Sequence, residues 1–285
     1  MLQWIAQHTP IVILIIFVSF AAIEAALGLF KSSNTSKEDA PLEVTITLLF
    51  AAVIYPGILL IVTFAATRFT PDMAGAITDW PFWAMFALLL IGDDLTQYWW
   101  HRISHTSVLW PLHRAHHSAP HMSIRVVYRN NAFYYAMMPG LWIGSYLVFM
   151  GCGLVYPWYL ILKMLVIFGA HSELRWDTFL YRYRWLNPLA WIVERTISTP
   201  ATHFAHHAIT QDDGIGHYKG NYGNFLFFWD VLFGTALITR RYPARVGLSD
   251  DIAHGQERWW IQLLYPIFKS RREQSALSKD AVIIP

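Results

Sequence analysis

Charge is scarce in this 285-residue chain. Asp, Glu, Lys and Arg make up 14% of it, against roughly 25% in an ordinary soluble domain. With 55% hydrophobic residues and a positive mean hydropathy, that deficit points to a membrane-embedded protein. The formal charge of +2 comes with no basic tail or patch, so nucleic acid is not an expected partner. One cysteine, Cys152, excludes an internal disulfide framework and any cysteine-based metal site. A metal here must be held by His, Asp or Glu. Repeats, low-complexity tracts and Gly/Ser linkers are also missing, which predicts a single domain over residues 1–285.

What the chain has in quantity is apolar sequence. Residues 10–30 carry one charge, Glu24, and are long enough to cross a bilayer core. No Lys or Arg precedes them, which argues for a span over a signal peptide. Residues 44–66 carry no charge and form the clearest span, with a kink expected at Pro56-Gly57. A third apolar helix starts at Pro81 and is expected to continue through Asp93 and Asp94 to His105. Residues 133–150 and 154–170 read as a helical hairpin around Gly151-Cys152-Gly153, with Lys163 its one charge. Beyond His171 the sequence predicts short helices and loops. Within that part, residues 225–238 and 259–268 are aromatic-rich and too short to span, so they are expected to lie against the membrane or cover the site. The fold class is therefore all-α and polytopic.

Positive charge sets the orientation. The 31–43 loop has two Lys or Arg, the 68–79 loop one and the Gly151 turn none; four fall between Arg102 and Arg129, and thirteen after His171. With the amino terminus outside, every positive-rich segment lands on the cytoplasmic side. The last residues, Ala-Val-Ile-Ile-Pro, carry no recognisable retention signal.

Eight of the 13 histidines sit in three clusters: His101 and His105; His113, His116 and His117; His203, His206 and His207. Residues at i, i+3 and i+4 share one helix face, so each cluster aims its imidazoles together. Imidazole suits iron, zinc, copper and nickel. Eight ligands are too many for one four-coordinate zinc and suit two metals with an open position. His171, where the hairpin returns, is a ninth candidate. His8, His254 and His121 read as ordinary interfacial or hydrogen-bonded histidines. Asp94, Tyr98, His101 and His105 share a helix face, and Gln97 lies four residues before His101. Asp94 and Gln97 are thus candidates for supporting the first cluster from behind, since metal-bound imidazoles commonly give their other N–H to a carboxylate or carbonyl. Trp99, Trp100 and Trp110 are candidates for lining a lipid access route or for an interfacial aromatic belt.

The pattern HxxxH, HxxHH, hairpin, lone His and HxxHH resembles the fatty acid hydroxylase/sterol desaturase superfamily over about residues 90–238. Thr199-Pro200 before the third box, Asn221-Tyr222-Gly223 after it and the run Trp229-Asp230-Val231-Leu232-Phe233-Gly234-Thr235 add to the likeness. The resemblance implies a bundle of about four transmembrane helices with a cytosolic helical cap. It implies two non-haem iron ions, O2 as oxidant and the nine histidines above as ligands. His217 is a candidate substitute for a second histidine that some relatives carry near the lone one; Asn221 and Asp230 are candidates for supporting the centre. Zinc is expected to replace iron on expression. Electrons would come from a separate donor such as cytochrome b5, a ferredoxin or a small reductant. The substrate implied is a membrane lipid, fatty-acyl or sterol-like, that is hydroxylated or desaturated. An ether-lipid (alkylglycerol-type) monooxygenase, with a pterin donor, is the near alternative. Two rivals belong to other classes. A zinc-dependent membrane hydrolase needs a general base beside the metal, and no His-Glu pair occurs in the boxes. A haem or metal-transport protein needs polar residues along its spans, which are nearly free of them.

Overall fold

A computed structural model of the chain describes residues 2–31, 35–273 and 275–279. The terminal Ala281–Pro285, and residues 32–34 of the first polar loop, lie outside them. Among the described residues every regular element is a helix and there is no strand, only two isolated bridges.

Two stretches, Gln7–Ala26 and Asp39–Phe69, are long and apolar enough to cross a membrane. The first belongs to α1 (Leu2–Ala26). It stops short of Phe30 because the chain turns at Gly28, whose φ of +72° suits a residue without a Cβ. The second joins α2 (Asp39–Leu49), a π turn at Phe50–Ile54 and α3 (Tyr55–Phe69). It begins at Asp39, ahead of the expected Val44, because Asp39 and Glu43 are buried partners of Arg129 and not loop residues. The irregularity expected at Pro56 is this π turn. Proline has no N–H and its ring crowds the carbonyl four residues back, here Ala52, in the middle of the widened turn.

The third segment runs as expected from α4 (Phe82–Leu89) through a second π turn (Leu90–Leu95) into α5 (Thr96–Ser104). Asp93 and Asp94 sit in that turn and both are buried. Asp93 does not mark an exit into water: its Oδ2 accepts from Lys163 Nζ at 2.8 Å. Lys163, the lone charge of the hairpin, is thus paired with one of the two acidic residues of the third segment, which is how ionisable groups are tolerated among apolar helices. After α6 (Trp110–His117) and α7 (Ala132–Ala136) comes the hairpin, α8 (Pro139–Met150) and α9 (Tyr156–His171). Its turn at Gly151 has φ +131°, and a Cβ there would fall 2.7 Å from the Thr78 nitrogen. Helix α1 packs along α9, and α3 along α8.

The rest is a set of short helices: α10 (Thr178–Arg182), α11 (Asn187–Thr196), α12 (Pro200–His206), α13 (Phe228–Phe233), α14 (Ser249–His254) and α15 (Trp259–Leu264). Helix α15 packs on the start of α2 and closes an apolar cluster with Leu42, Trp100, Leu112, Tyr134 and Leu263.

Two buried charges, far apart in sequence from their partners, lock this arrangement. Arg129 donates to Asp39 (2.6 Å), to the Ala115 carbonyl (2.8 Å) and to Ser118 Oγ (2.8 Å). Glu24, the one charge of α1, accepts from Ile124 N, Ser172 Oγ (2.6 Å) and Glu173 N (3.1 Å). It therefore fixes both the strap after α6 and the chain just past His171. Each buried donor left unpaired costs about 1–3 kcal/mol. Glu24→Ala is expected to lower the melting temperature of the detergent-purified protein sharply, with Glu24→Gln in between; a melting curve unchanged by alanine would refute this role.

Candidate metal centre

Helix α5 carries His101 and ends on His105; α6 carries His113, His116 and His117; α9 ends on His171; α12 carries His203 and His206 and is capped by His207. Helix α12 starts sharply because Thr199 and Thr202 form a reciprocal capping box, with Pro200 in the first turn. That accounts for the Thr-Pro before the third box.

The nine side chains converge into two groups. His101, His105, His113, His117 and His206 form one; His116, His171, His203 and His207 form the other, and within each the ligand atoms lie within 4.8 Å of one another. Each HxxHH box feeds both groups. Neighbouring residues on an α-helix point about 100° apart, so His116 and His117 face different groups, as do His206 and His207. The His117 and His207 rings stack at 4.3 Å where the groups meet.

Backbone carbonyls set the tautomers. His101 Nδ1–H donates to the Tyr222 carbonyl (2.6 Å), His206 Nδ1–H to Gly220 (2.7 Å), His116 Nδ1–H to Arg129 (3.0 Å) and His171 Nδ1–H to Ile167 (2.8 Å). The Nε2 atoms of His101 and His206 are then both bare lone pairs, yet they stand 3.0 Å apart. No hydrogen bond can join two acceptors; a cation between them can. His171 and His203 Nε2 are likewise 2.9 Å apart. Nε2 of His105, His113, His117 and His207 is buried without a partner. An unsatisfied buried nitrogen is costly, and an all-imidazole donor set suits iron, zinc, copper or nickel. The residues present fit two metal ions.

Burial, reinforced by neighbouring imidazoles, holds His113, His116, His117, His203, His206 and His207 well below the usual histidine range. They are neutral, as ligands must be. A base with a depressed folded value contributes stability above its unfolded value of about 6.5. That contribution is lost as pH falls, because the unfolded chain takes up protons the native site refuses. The metal-free protein is expected to melt at progressively lower temperature from about pH 7 to about pH 5. A flat profile over that range would exclude neutral buried histidines.

The supporting residues expected from sequence divide. Asp230 accepts Tyr222 N (2.8 Å) and Thr235 Oγ1 (2.6 Å) on one oxygen and Gly223 N (2.6 Å) on the other. It shapes the loop whose carbonyls hold His101 and His206. Asn221 sits between those two carbonyls with φ +55°, a conformation Asn tolerates. Its side chain bonds Thr202 O, Leu237 O and Leu237 N. A Cβ on Gly220 would run into His217 Nε2, and one on Gly223 would sit 2.7 Å from the Leu226 carbonyl. Asp94 does not reach a histidine. It accepts from Trp229 Nε1 (2.7 Å) and Leu226 N, tying the third segment to the loop before α13. Gln97 is buried with Oε1 unpartnered. His217 stays outside both groups, its Nε2 donating to the Thr235 carbonyl at 3.1 Å. Of the three tryptophans, Trp110 borders the centre, 5.4 Å from the His105 and His117 rings. Trp100 packs on Tyr134 and Trp99 on Phe233. Sequence reasoning missed the role of Arg129, the partners of Glu24 and the four carbonyls; main-chain acceptors leave no residue signature.

A family model described as fatty acid hydroxylase matches residues 86–235, the stretch holding all nine histidines. The chain belongs to the fatty acid hydroxylase family. Within it, this hydroxylase-family chain is 29% identical over 190 residues to an alkylglycerol monooxygenase of Danio rerio, covering 65% of the chain and 36% of that protein. Alkylglycerol monooxygenase of Xenopus tropicalis is 28% identical over 180 residues, covering 61% and 34%. That of Homo sapiens is 29% identical over 157 residues, covering 54% and 30%. The chain thus spans about a third of the length of the curated relatives it matches. No solved structure matches it.

Proposed function

We propose that this hydroxylase-family chain is an O2-dependent, non-haem di-iron monooxygenase that hydroxylates, or desaturates, a membrane lipid. The observation that carries this reading is the pair of all-histidine groups, with the bare nitrogens of His101 and His206 facing each other at 3.0 Å. His101, His105, His113, His117 and His206 would hold one iron, and His116, His171, His203 and His207 the other. The metals would supply O2 activation, the one capability these side chains lack. Zinc has no redox chemistry and is the expected contaminant after expression. Neither group includes a carboxylate, and no His-Glu pair occurs in the boxes, which speaks against a hydrolase of the HExxH type.

The side chains do the rest. Tyr222, Gly220, Arg129 and Ile167 carbonyls hold ring nitrogens outward so that Nε2 points in. Eight of the nine histidines are buried and exclude water; His105, partly exposed, marks the side from which lipid and O2 arrive, beside Trp110. In this reading residues 1–285 form one domain. Segments α1, α2–α3, α4–α5, α8 and α9 make a multi-pass bundle, five helical segments where the resemblance implies about four transmembrane helices, with the centre on the cytoplasmic face. Electrons come from a separate donor: cytochrome b5, a ferredoxin or a small reductant.

The matched relatives favour a second, narrower reading, an ether-lipid substrate. Hydroxylation beside an ether oxygen yields a hemiacetal that falls apart to an aldehyde and an alcohol, so the readings differ in product. Lipids of cells with and without the chain decide between them. One added oxygen atom is expected for a hydroxylase, loss of two hydrogens for a desaturase, and depletion of ether lipids with aldehyde release for the narrower reading. No change in any lipid would sink the oxygenase assignment.

A further inference from the structure

A line of aromatic rings leaves the five-histidine group through Tyr222 and ends at the protein surface, on a side separate from Trp110, the half-buried ring beside His105 and His117. Tyr222 lies 5.2 Å from the His105 ring, 5.6 Å from His206 and 5.7 Å from His101. Tyr98 is 6.2 Å further on, edge-on to Tyr222, and Trp99 is 5.6 Å from Tyr98. Tyr222 and Tyr98 are buried, whereas Trp99 is 39% exposed. These spacings are ordinary for packed aromatics, so contact alone means little.

The hydrogen bonds of Tyr98 are not ordinary. Arg102 Nη1 donates to its phenolic oxygen (3.2 Å), and Thr235 Oγ1 donates to Asp230 Oδ1 (2.6 Å). The Tyr98 hydroxyl must therefore be the donor in its 2.9 Å bond to Thr235 Oγ1. A phenol is wired through one hydroxyl to a buried carboxylate. That is what a tyrosine needs in order to lose an electron, because its proton must leave at the same time. A second set of rings has no such outlet. Tyr134 stacks on His113 at 4.8 Å, but its oxidisable neighbours Trp100 and Tyr135 are buried, and Tyr135 continues to Phe50, a ring far harder to oxidise.

We propose that Tyr222, Tyr98 and Trp99 form an escape path for oxidising equivalents, used when O2 is activated without a lipid in place. The proposal rests on the oxygenase reading above. Tyr98 passes one electron to the centre by way of Tyr222. Its proton goes to Thr235 Oγ1 as the proton of Thr235 moves to Asp230. Trp99 then returns one electron to Tyr98, and the protons move back. Trp99 gives up its indole proton to water as it is oxidised, since the Arg102 guanidinium lies 5.1 Å from its ring, and the neutral radical is reduced by the external one-electron donor and reprotonated. Where no donor is present a second electron leaves by the same route and water adds to the ring, with loss of its protons, leaving hydroxytryptophan. Each electron that leaves by this path spares the ligand histidines one stray oxidation. Burial raises the Asp230 carboxyl above its usual range, making it a better proton acceptor.

The test uses the full-length, iron-loaded protein, reduced, freed of donor and exposed to O2 without lipid. Samples are frozen for electron paramagnetic resonance and digested for peptide mass spectrometry. The expected result is a tyrosyl radical signal and oxygenated Trp99, both lost in Tyr98→Phe and in Thr235→Val. Trp185, 75% exposed and off the path, is the background control. Metal content is measured on each variant. Tyr98→Phe, which keeps its ring packed on Phe233 (5.3 Å), carries the test if Thr235→Val loses metal. If O2 is consumed but Trp99 is oxidised no more than Trp185, or the variants change nothing, the path does not exist. If the wild-type protein consumes no O2, the oxygenase reading fails and takes this proposal with it.

Discussion

His206→Ala is expected to empty the five-histidine group and abolish product, with the protein still in the membrane. His206 Nε2 faces His101 Nε2 at 3.0 Å, and its ring also lies 4.6 Å from His105 and 4.8 Å from His117. Removing it takes away a nitrogen central to that group and opens a buried void. Loss of a partner one layer out from a metal commonly costs 10–100-fold in affinity, so loss of a ligand should exceed roughly that. His203→Ala is expected to do the same to the other group, where its Nε2 is 2.9 Å from His171. Elemental analysis of the purified variants should find one metal ion per chain missing in each case. Two ions and full turnover in either variant would refute the ligand assignment.

Asp230→Ala is expected to have the next largest effect, although Asp230 touches no histidine. It is fully buried and receives Tyr222 N, Gly223 N and Thr235 Oγ1. Alanine strands two buried backbone donors, at about 1–3 kcal/mol each, and frees the half-buried Thr235 hydroxyl. It also frees the loop that presents the Tyr222 carbonyl to His101 and the Gly220 carbonyl to His206. Metal affinity is expected to drop by roughly 10–100-fold, the usual cost of losing such support. Asp230→Asn keeps one acceptor oxygen and should fall between. If metal is retained with wild-type affinity while only the melting temperature drops, Asp230 serves the fold and not the centre.

Histidines announce themselves because their spacing matches the helix. At i, i+3 and i+4 on α6 and α12, and at i and i+4 on α5, eight could be read as candidate ligands before any fold was known; His171 was a candidate from its place at the end of the hairpin, and the ring nitrogens of these nine gather into the two groups. How they divide was not legible. Group membership depends on how α5, α6, α9 and α12 face one another, which sequence spacing does not encode. Asp94 illustrates the same limit. Its position on the His101 face is as expected, but the nitrogen it could have served already donates to the Tyr222 carbonyl, and the Trp229 indole takes the carboxylate instead. Glu24 and Lys163 were visible as isolated charges in apolar runs. Their partners lie 148 and 70 residues away and follow only from packing.

The joint use of each HxxHH box has a further consequence. His116 and His117 are joined by a single peptide unit, and so are His206 and His207. The separation between the two groups is therefore set by covalent geometry on two helices at once. Thermal breathing of the cap can shift α12 against α6, but it cannot pull one group away from the other without unwinding a helix. The distance between the two ions should accordingly stay constant through loading, and emptying one group, as in His206→Ala, should leave the other where it was.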